Sequence, residues 1–354
     1  MTVPRGPGTP DRVAPSSRAR LLLAVKATIS VALLGWLVRA MLLRDGVEVL
    51  SQRLGDLRGA WVALAVGLHF LAVLAGTLRW RALLLARGLV LPLPTLLRSF
   101  LVGRFIGAFT PSTTGLDGYR ALDVARRTGE TAASASVIVV EKLVGLVAMA
   151  SVCAVLLPFG LAARLGPTGI ASAIAMAGVA GAGLFVLSSA ERARALARLL
   201  PGPLRSRGEK IALGLAGAGS SAGTIGIALA LGVATHLCLS ATFAATARAL
   251  GVDLPLGELL GIGNAIVIAV LLPVSVGGVG VREGAAVALF AGAGVVTTDA
   301  VLVALLSYLT GQVPALVGGV LLLLPGGPPQ AAASTPQADS RGPASIDSPS
   351  AGPA

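Results

Sequence analysis

The sequence PVSVGGVGVREG (residues 273–284) interrupts a long apolar region and is the stretch that decides how this chain folds. It combines a proline with three closely spaced glycines and the adjacent pair Arg282 and Glu283. Proline removes a helix hydrogen bond, and glycine permits backbone conformations that other residues avoid. Inside a membrane, such backbone persists only where protein buries it or where it lines a wet cavity. The stretch therefore predicts a re-entrant or broken helix.

The same spacing, P-x3-G-x2-G-x-R, occurs upstream in PSTTGLDGYR (residues 111–120). The matched positions are Pro111 with Pro273, Gly115 with Gly277, Gly118 with Gly280, and Arg120 with Arg282, while Gly278 is an extra glycine in the second copy. A second pair of similar blocks precedes these, GLVLPLPTLL (88–97) and GVDLPLGELL (251–260). Two linked blocks in the same order indicate an internal duplication of about half the chain, as transporter folds often carry.

Composition restricts the class of protein. The chain has 354 residues, of which 55% are hydrophobic and 12% charged, and a soluble domain has no core large enough for that apolar content. We therefore predict an all-α polytopic membrane protein. The formal net charge is +12, but aromatic residues are only 4% and the basic residues flank apolar segments. Membrane topology explains that distribution better than a nucleic-acid partner does.

We expect about six full spans and two helical hairpins. The spans cover residues 21–43, 61–78, 132–157, 168–187, 223–250 and 300–324. Hairpins around residues 95–120 and 254–284 enter and leave on one side, so each repeat unit (about 21–158 and 167–324) makes three crossings. Because three is odd, the second unit is inverted relative to the first. Residues 1–20 and 325–354 are predicted to be disordered tails. The basic N-terminal tail is expected in the cytoplasm, and the C-terminus is predicted to be cytoplasmic as well.

Charged residues in or beside the hairpins are the main functional signal, since a charge at the bilayer centre costs about 2.5–3.5 kcal/mol on insertion scales. The candidate substrate-binding residues are Arg104, Asp117, Arg120, Glu141, Lys142, Arg282 and Glu283. The candidate hairpin backbone positions are Pro111, Gly115, Gly118, Pro273, Gly277, Gly278 and Gly280.

Two interpretations of these charges remain open. In the first, they line a polar crevice that holds an anionic lipid headgroup, because the arginine fork and exposed helix N-termini suit phosphate or carboxylate. In the second, they form internal ion pairs that fix the hairpins, such as Arg120 with Glu141 or Arg104 with Asp117. His69 and His236 are interpreted as buried structural residues.

The sequence favours no enzymatic chemistry. It has no nucleophile, base and acid at catalytic spacing and no Walker loop. The motif GVGVRE lacks the strand and βαβ context of a dinucleotide site. Cys153 and Cys238 lie within apolar runs, and neither has metal-ligand spacing with a histidine. We expect no enzyme activity, no metal and no cofactor.

At these residues the sequence resembles the flippase-like family known from the transmembrane region of lysylphosphatidylglycerol synthases. The matching pieces are PSTTGLDGYR, the pair Glu141 and Lys142, and PVSVGGVGVREG, over about residues 21–324. In bifunctional members this region moves an aminoacylated phospholipid between leaflets, while a separate soluble domain makes that lipid. The resemblance implies a stand-alone membrane module of this kind. Ser112 and Thr113 stand where many members carry glycine or arginine.

The expected function is therefore translocation or binding of a lipid in the cytoplasmic membrane. Its partners are the bilayer and either an anionic or aminoacylated phospholipid or a polyprenyl-linked lipid. One alternative is a small-solute or ion secondary transporter with the same inverted plan. Another is an accessory subunit or enzyme of cell-envelope lipid glycosylation.

Overall fold

A computed structural model describes residues 51–108, 110, 114–160, 162–199, 201–217, 221–271 and 278–324, with residues 35, 39 and 48 in addition. In this part of the chain the regular structure is entirely α-helical. The two predicted tails, most of the first predicted span, and the hairpin residues Pro111, Pro273 and Gly277 lie outside the described residues.

The helices are named in chain order from the first one described in full. They are α1 (Gly59–Leu85), α2 (Leu93–Ala108), α3 (Thr114–Thr128), α4 (Thr131–Gly160), α5 (Ala162–Leu187), α6 (Ala190–Leu199), α7 (Gly202–Gly217), α8 (Ala222–Ala249), α9 (Leu256–Leu271), α10 (Val281–Ala291) and α11 (Thr297–Leu323).

Helices α1, α4, α5, α8 and α11 are each long and apolar enough to cross a membrane. The apolar segments cover 59–85, 131–158, 166–187, 222–249 and 297–323, and they coincide with five of the six predicted spans. Because the described chain is helical and contains these five long apolar helices, the prediction of an all-α polytopic membrane protein is confirmed.

Both predicted hairpins consist of paired short helices. Helices α2 and α3, of 16 and 15 residues, form hairpin 1, and helices α9 and α10, of 16 and 11 residues, form hairpin 2. The two members of each pair pack against each other. In hairpin 2 the turn before α10 contains Gly278 and Gly280 with φ of 78° and 83°. Side chains disfavour that left-handed backbone, so glycine is required there.

Helices α1 and α8 pack on each other in antiparallel orientation. The backbone N–H of Arg58, just before α1, donates to the carbonyl oxygen of Ala249 at the end of α8, with an N to O distance of 3.1 Å. Each helix is followed by a glycine with positive φ, Gly88 at 75° and Gly251 at 76°, and then by a hairpin. The two hairpins therefore enter the bundle from opposite ends.

The remaining packing follows the same two-fold plan. Helix α2 packs on α11, while its counterpart α9 packs on α4. One buried apolar cluster surrounds hairpin 1 and includes Trp80 and Phe100, and another surrounds hairpin 2 and includes Phe243 and Phe290. This is the pairing that an inverted repeat requires. The boundaries of the two units stay a prediction.

Three segments differ from the sequence-based description. The gap between the predicted spans 132–157 and 168–187 is helical at 158–160 and 162–165, with a break at Gly166, where φ is 52°. Between the predicted spans 168–187 and 223–250, the basic segment 191–210 contains the helices α6 and α7, which pack on each other. Helix α1 continues seven residues beyond Leu78 to Leu85, which places Arg79 inside the helix rather than on its flank.

Candidate functional site

A cavity of about 390 Å³ lies between the two hairpins. Hairpin 1 contributes residues of α2 and α3 to its wall, hairpin 2 contributes residues of α9 and α10, and α1, α4, α8 and α11 complete it. Its polar lining residues are His69, Arg104, His236, Thr242, Arg282, Ser307, Tyr308 and Gln312. The cavity is thus the place where both repeat units present polar side chains to one space.

Helical spacing explains why these residues share the cavity. On α11, Tyr308, Gly311, Gln312 and Ala315 follow the i, i+3, i+4, i+7 pattern that places side chains on one face of a helix. On α2, Arg104, Gly107 and Ala108 have the same kind of spacing. Gly311 leaves room on its face, because a Cβ there would come within 3.0 Å of the ring of His69.

Arg104 joins hairpin 1 to the opposite unit. Its Nη2 donates to the carbonyl oxygen of Gly311 on α11, with an N to O distance of 2.9 Å. Its Nε is buried and has no hydrogen-bond partner within the described part of the chain. The pairing of Arg104 with Asp117, one of the expected ion pairs, does not form, since Asp117 pairs with Arg120 and Lys142. Arg104 therefore keeps hydrogen-bonding capacity beside the cavity.

Arg282 at the start of α10 is the matching cation from hairpin 2. Its Cζ lies 4.5 Å from the ring centroid of Tyr308, a cation–π contact. The neighbouring Glu283 is 1% exposed, and its Oε2 accepts a hydrogen bond of 2.6 Å from the N–H of Gly280. Its Oε1 is 3.9 Å from Nη1 of Arg282. Glu283 thus fixes the backbone that carries Arg282, and it is not among the residues that line the cavity.

A second group of charges forms an ion-pair network between α1, α3 and α4. Arg120 contacts Asp117 at 2.8 Å and Glu141 at 3.0 Å, which confirms the expected Arg120–Glu141 pair. Arg79 contacts the same Glu141 at 3.1 Å, and Lys142 contacts Asp117 at 2.6 Å.

Aromatic rings enclose the centre of this network. The guanidinium of Arg120 lies 4.8 Å from the ring centroid of Trp80 and 4.7 Å from that of Phe100. The side chains of Arg120 and Glu141 are 4% and 3% exposed. Burial on this scale leaves the pair little access to a ligand, so the network fixes hairpin 1 against the two spans.

The structure therefore divides the predicted site residues. Arg104 and Arg282 line one cavity, although they belong to different hairpins. The residues of the ion-pair network are not in the cavity lining; they are Asp117, Arg120, Glu141 and Lys142. Of the backbone positions in hairpin 1, Gly115 donates its N–H to Thr110 Oγ1 at 3.1 Å, while Gly118 is exposed.

Sequence reasoning missed several members of both groups. His69 and His236 both line the cavity. Nε2 of His69 also lies 3.1 Å from the carbonyl oxygen of Ser307, so His69 both fixes α1 against α11 and forms part of the cavity wall. Tyr308 and Gln312 were detectable as polar interruptions of an apolar span. Arg79 was not, because it resembles an ordinary flanking charge until α1 is seen to continue past it.

Comparison with known proteins assigns the sequence to a family. Within the described residues, no group of three or more histidine, cysteine, aspartate or glutamate side chains is arranged to hold a metal ion. Comparison with curated proteins gives no match. The family described as the lysylphosphatidylglycerol synthase TM region matches residues 23–319, which includes both hairpins, four of the five long apolar helices and all but the last four residues of α11. This multi-pass membrane protein therefore belongs to the family of lysylphosphatidylglycerol synthase transmembrane regions.

Proposed function

We propose that this protein moves a lipid between the two leaflets by binding its phosphate-containing headgroup in the cavity while the acyl chains stay in the bilayer. The observation that carries the proposal is that Arg104 and Arg282, one from each hairpin, line the same cavity. Each guanidinium borders the cavity from a fixed position, since Arg104 donates to the carbonyl oxygen of Gly311 and Arg282 contacts the ring of Tyr308. A phosphate suits them because the guanidinium fork binds its oxygens in pairs.

The size of the cavity supports a headgroup as the ligand. About 390 Å³ is near the lower end of the range of small-molecule sites, roughly 300–1,000 Å³. It accommodates a phosphate with a small polar group and leaves no room for two acyl chains. The five long helices are apolar, which is compatible with acyl chains that stay outside the cavity, against the surface of the protein.

The arrangement of the hairpins suggests how access alternates. They enter from opposite ends of the α1 and α8 pair, so small movements of one hairpin at a time would open the cavity toward opposite sides. The sequence has no nucleotide-binding loop, so we propose that a gradient, the membrane potential or removal of the lipid supplies the bias. The potential alone contributes about 2.3 kcal/mol per charge per 100 mV. We place the protein in the cytoplasmic membrane, without enzymatic activity.

The test is a leaflet-exchange assay in proteoliposomes with head-labelled phospholipid and polyprenyl-phosphate probes. Wild-type protein should accelerate the exposure of inner-leaflet label to a quencher added outside, whereas the Arg104→Gln/Arg282→Gln double variant should approach the rate of empty vesicles. Arg205→Gln is the matched control, because Arg205 is 53% exposed and pairs only locally with Glu209. Entrapped small solutes should stay inside. Equal rates for wild type, double variant and empty vesicles would contradict translocation, and solute leakage would favour a solute transporter.

A further inference from the structure

The charged residues of the cavity wall are all basic among the residues that the structure describes. Its lining contains two arginines and two histidines, and no aspartate or glutamate is among the described residues that form it. Glu283 lies outside the lining, with its Oε1 3.9 Å from Nη1 of Arg282. Within the described residues, a ligand in this cavity therefore meets two guanidinium groups and no carboxylate of the wall.

The three acidic residues among the predicted site residues are committed to other contacts. Glu141 and Asp117 hold Arg120, Arg79 and Lys142 in the buried network. Glu283 is 1% exposed and is bonded to the N–H of Gly280. Moving any of these three carboxylates toward the cavity would leave a cation or a buried N–H without its partner, which is costly.

Uncharged polar groups occupy the rest of the wall. Thr242 and Ser307 face each other with an Oγ1 to Oγ distance of 3.3 Å, and Tyr308 and Gln312 lie one turn apart on α11. Hydroxyl and amide groups of this kind donate to and accept from hydroxyls of a ligand. They offer no counter-ion to an ammonium group.

From this distribution we propose that the cavity selects a lipid whose headgroup is a phosphate bearing a hydroxyl-rich group, such as a polyol or sugar, and rejects an aminoacylated headgroup. The inference rests on the proposed function and names its substrate class. An ammonium on the headgroup would lie in a poorly solvated space beside two fixed positive charges, where like-charge repulsion is strong. The phosphate retains both arginines, and the hydroxyls meet Thr242, Ser307 and Gln312.

The test measures binding to the purified full chain in detergent, by lipid titration of the thermal unfolding midpoint and by native mass spectrometry. The probes are phosphatidylglycerol, a polyprenyl-phosphate sugar, lysylphosphatidylglycerol and zwitterionic phosphatidylcholine. Phosphatidylglycerol, the polyprenyl-phosphate sugar or both should bind at least about tenfold more tightly than lysylphosphatidylglycerol, a ratio that corresponds to about 1.4 kcal/mol. Whichever of the two binds more tightly shows whether the headgroup belongs to a phospholipid or to a polyprenyl lipid.

Gln312→Glu is the decisive variant, because it places a carboxylate in the cavity wall without removing an arginine. It should reverse the preference toward the lysyl lipid, while Arg205→Gln should leave the preference unchanged. Equal or tighter binding of the lysyl lipid by the wild type, an unchanged preference in Gln312→Glu protein that unfolds normally, or no binding of any probe would overturn the inference. Selective binding without leaflet exchange would overturn only the translocation proposal, and fast exchange of the lysyl lipid would overturn only the selectivity.

Discussion

Arg120 and Glu141 form a buried ion pair that ties hairpin 1 to the span that follows it. Nη1 of Arg120 lies 3.0 Å from Oε2 of Glu141, and the two side chains are 4% and 3% exposed. Arg79 from α1 shares the same carboxylate. Three helices thus meet at one glutamate, which makes this pair a structural element of the fold rather than a part of the cavity wall.

Removing one partner of this pair should destabilise the protein strongly. We expect Arg120→Ala to lower the free energy of unfolding by about 3–5 kcal/mol, because Glu141 would remain as a buried charge with one fewer partner. Thermal unfolding in detergent measures this. The control Arg205→Ala removes an exposed pair and should change stability by about 0–1 kcal/mol. If Arg120→Ala unfolds like the wild type yet loses leaflet exchange, Arg120 acts on the headgroup instead.

The contact between Arg282 and Tyr308 gives a prediction about the cavity. Tyr308→Phe should retain leaflet exchange because it keeps the ring that lies 4.5 Å from the guanidinium. Tyr308→Leu removes the ring and should weaken the placement of Arg282 by about 0.5–2 kcal/mol, visible as slower exchange. A loss in Tyr308→Phe equal to that in Tyr308→Leu would show that the hydroxyl matters and the ring does not.

Arginine geometry at position 282 can be separated from charge. Arg282→Lys keeps the positive charge but loses the planar fork, so we expect exchange rates between those of the wild type and Arg282→Gln. The exchange assay measures the three proteins side by side at equal reconstitution. Full activity of the lysine variant would indicate that charge alone is sufficient.

Glu283 should matter for stability through its hydrogen bond to Gly280. Glu283→Ala leaves a buried N–H without its partner at the start of α10, and an unsatisfied group of this kind costs about 1–3 kcal/mol. The thermal unfolding midpoint should fall accordingly. Glu191→Ala, which removes an exposed glutamate from the first turn of α6, is the matched control. An unchanged midpoint in Glu283→Ala would contradict the capping role.

The opposite entry of the hairpins can be tested by labelling. Glu130 follows hairpin 1, Asp253 precedes hairpin 2, and both are exposed. Nη2 of Arg87, just after α1, donates to Oγ of Ser136, so the end of α1 lies beside the start of α4 and close to residue 130. The start of α1 contacts the end of α8, which places residue 253 near the opposite end of α1. Single cysteines at 130 and 253, in a background without Cys153 and Cys238, should therefore react from opposite sides of the membrane. Labelling from the same side would contradict the inverted arrangement.

Local sequence information was sufficient to predict the positions of the long helices. Five predicted spans coincide with long apolar helices because hydrocarbon requires about 20 apolar residues per crossing, and that requirement is visible without any tertiary contact. The glycine pattern predicted the turn at Gly280 for a similar reason, since positive φ is a local property. Helix ends were less predictable. Helix α1 extends to Leu85, and the Arg79 that this extension includes contacts Glu141, a residue far away in the sequence.

By itself, the sequence determined that this is a helical membrane protein with two hairpins and a repeated motif, because hydropathy and backbone chemistry act along the chain. Which of the buried charges border the cavity depends on the tertiary structure. Arg104 and Arg120 have equal charge and both belong to hairpin 1, yet one borders the cavity and the other is enclosed by Asp117, Glu141 and two rings. The difference comes from helix rotation and from partners on distant segments, and neither is encoded in spacing along the sequence.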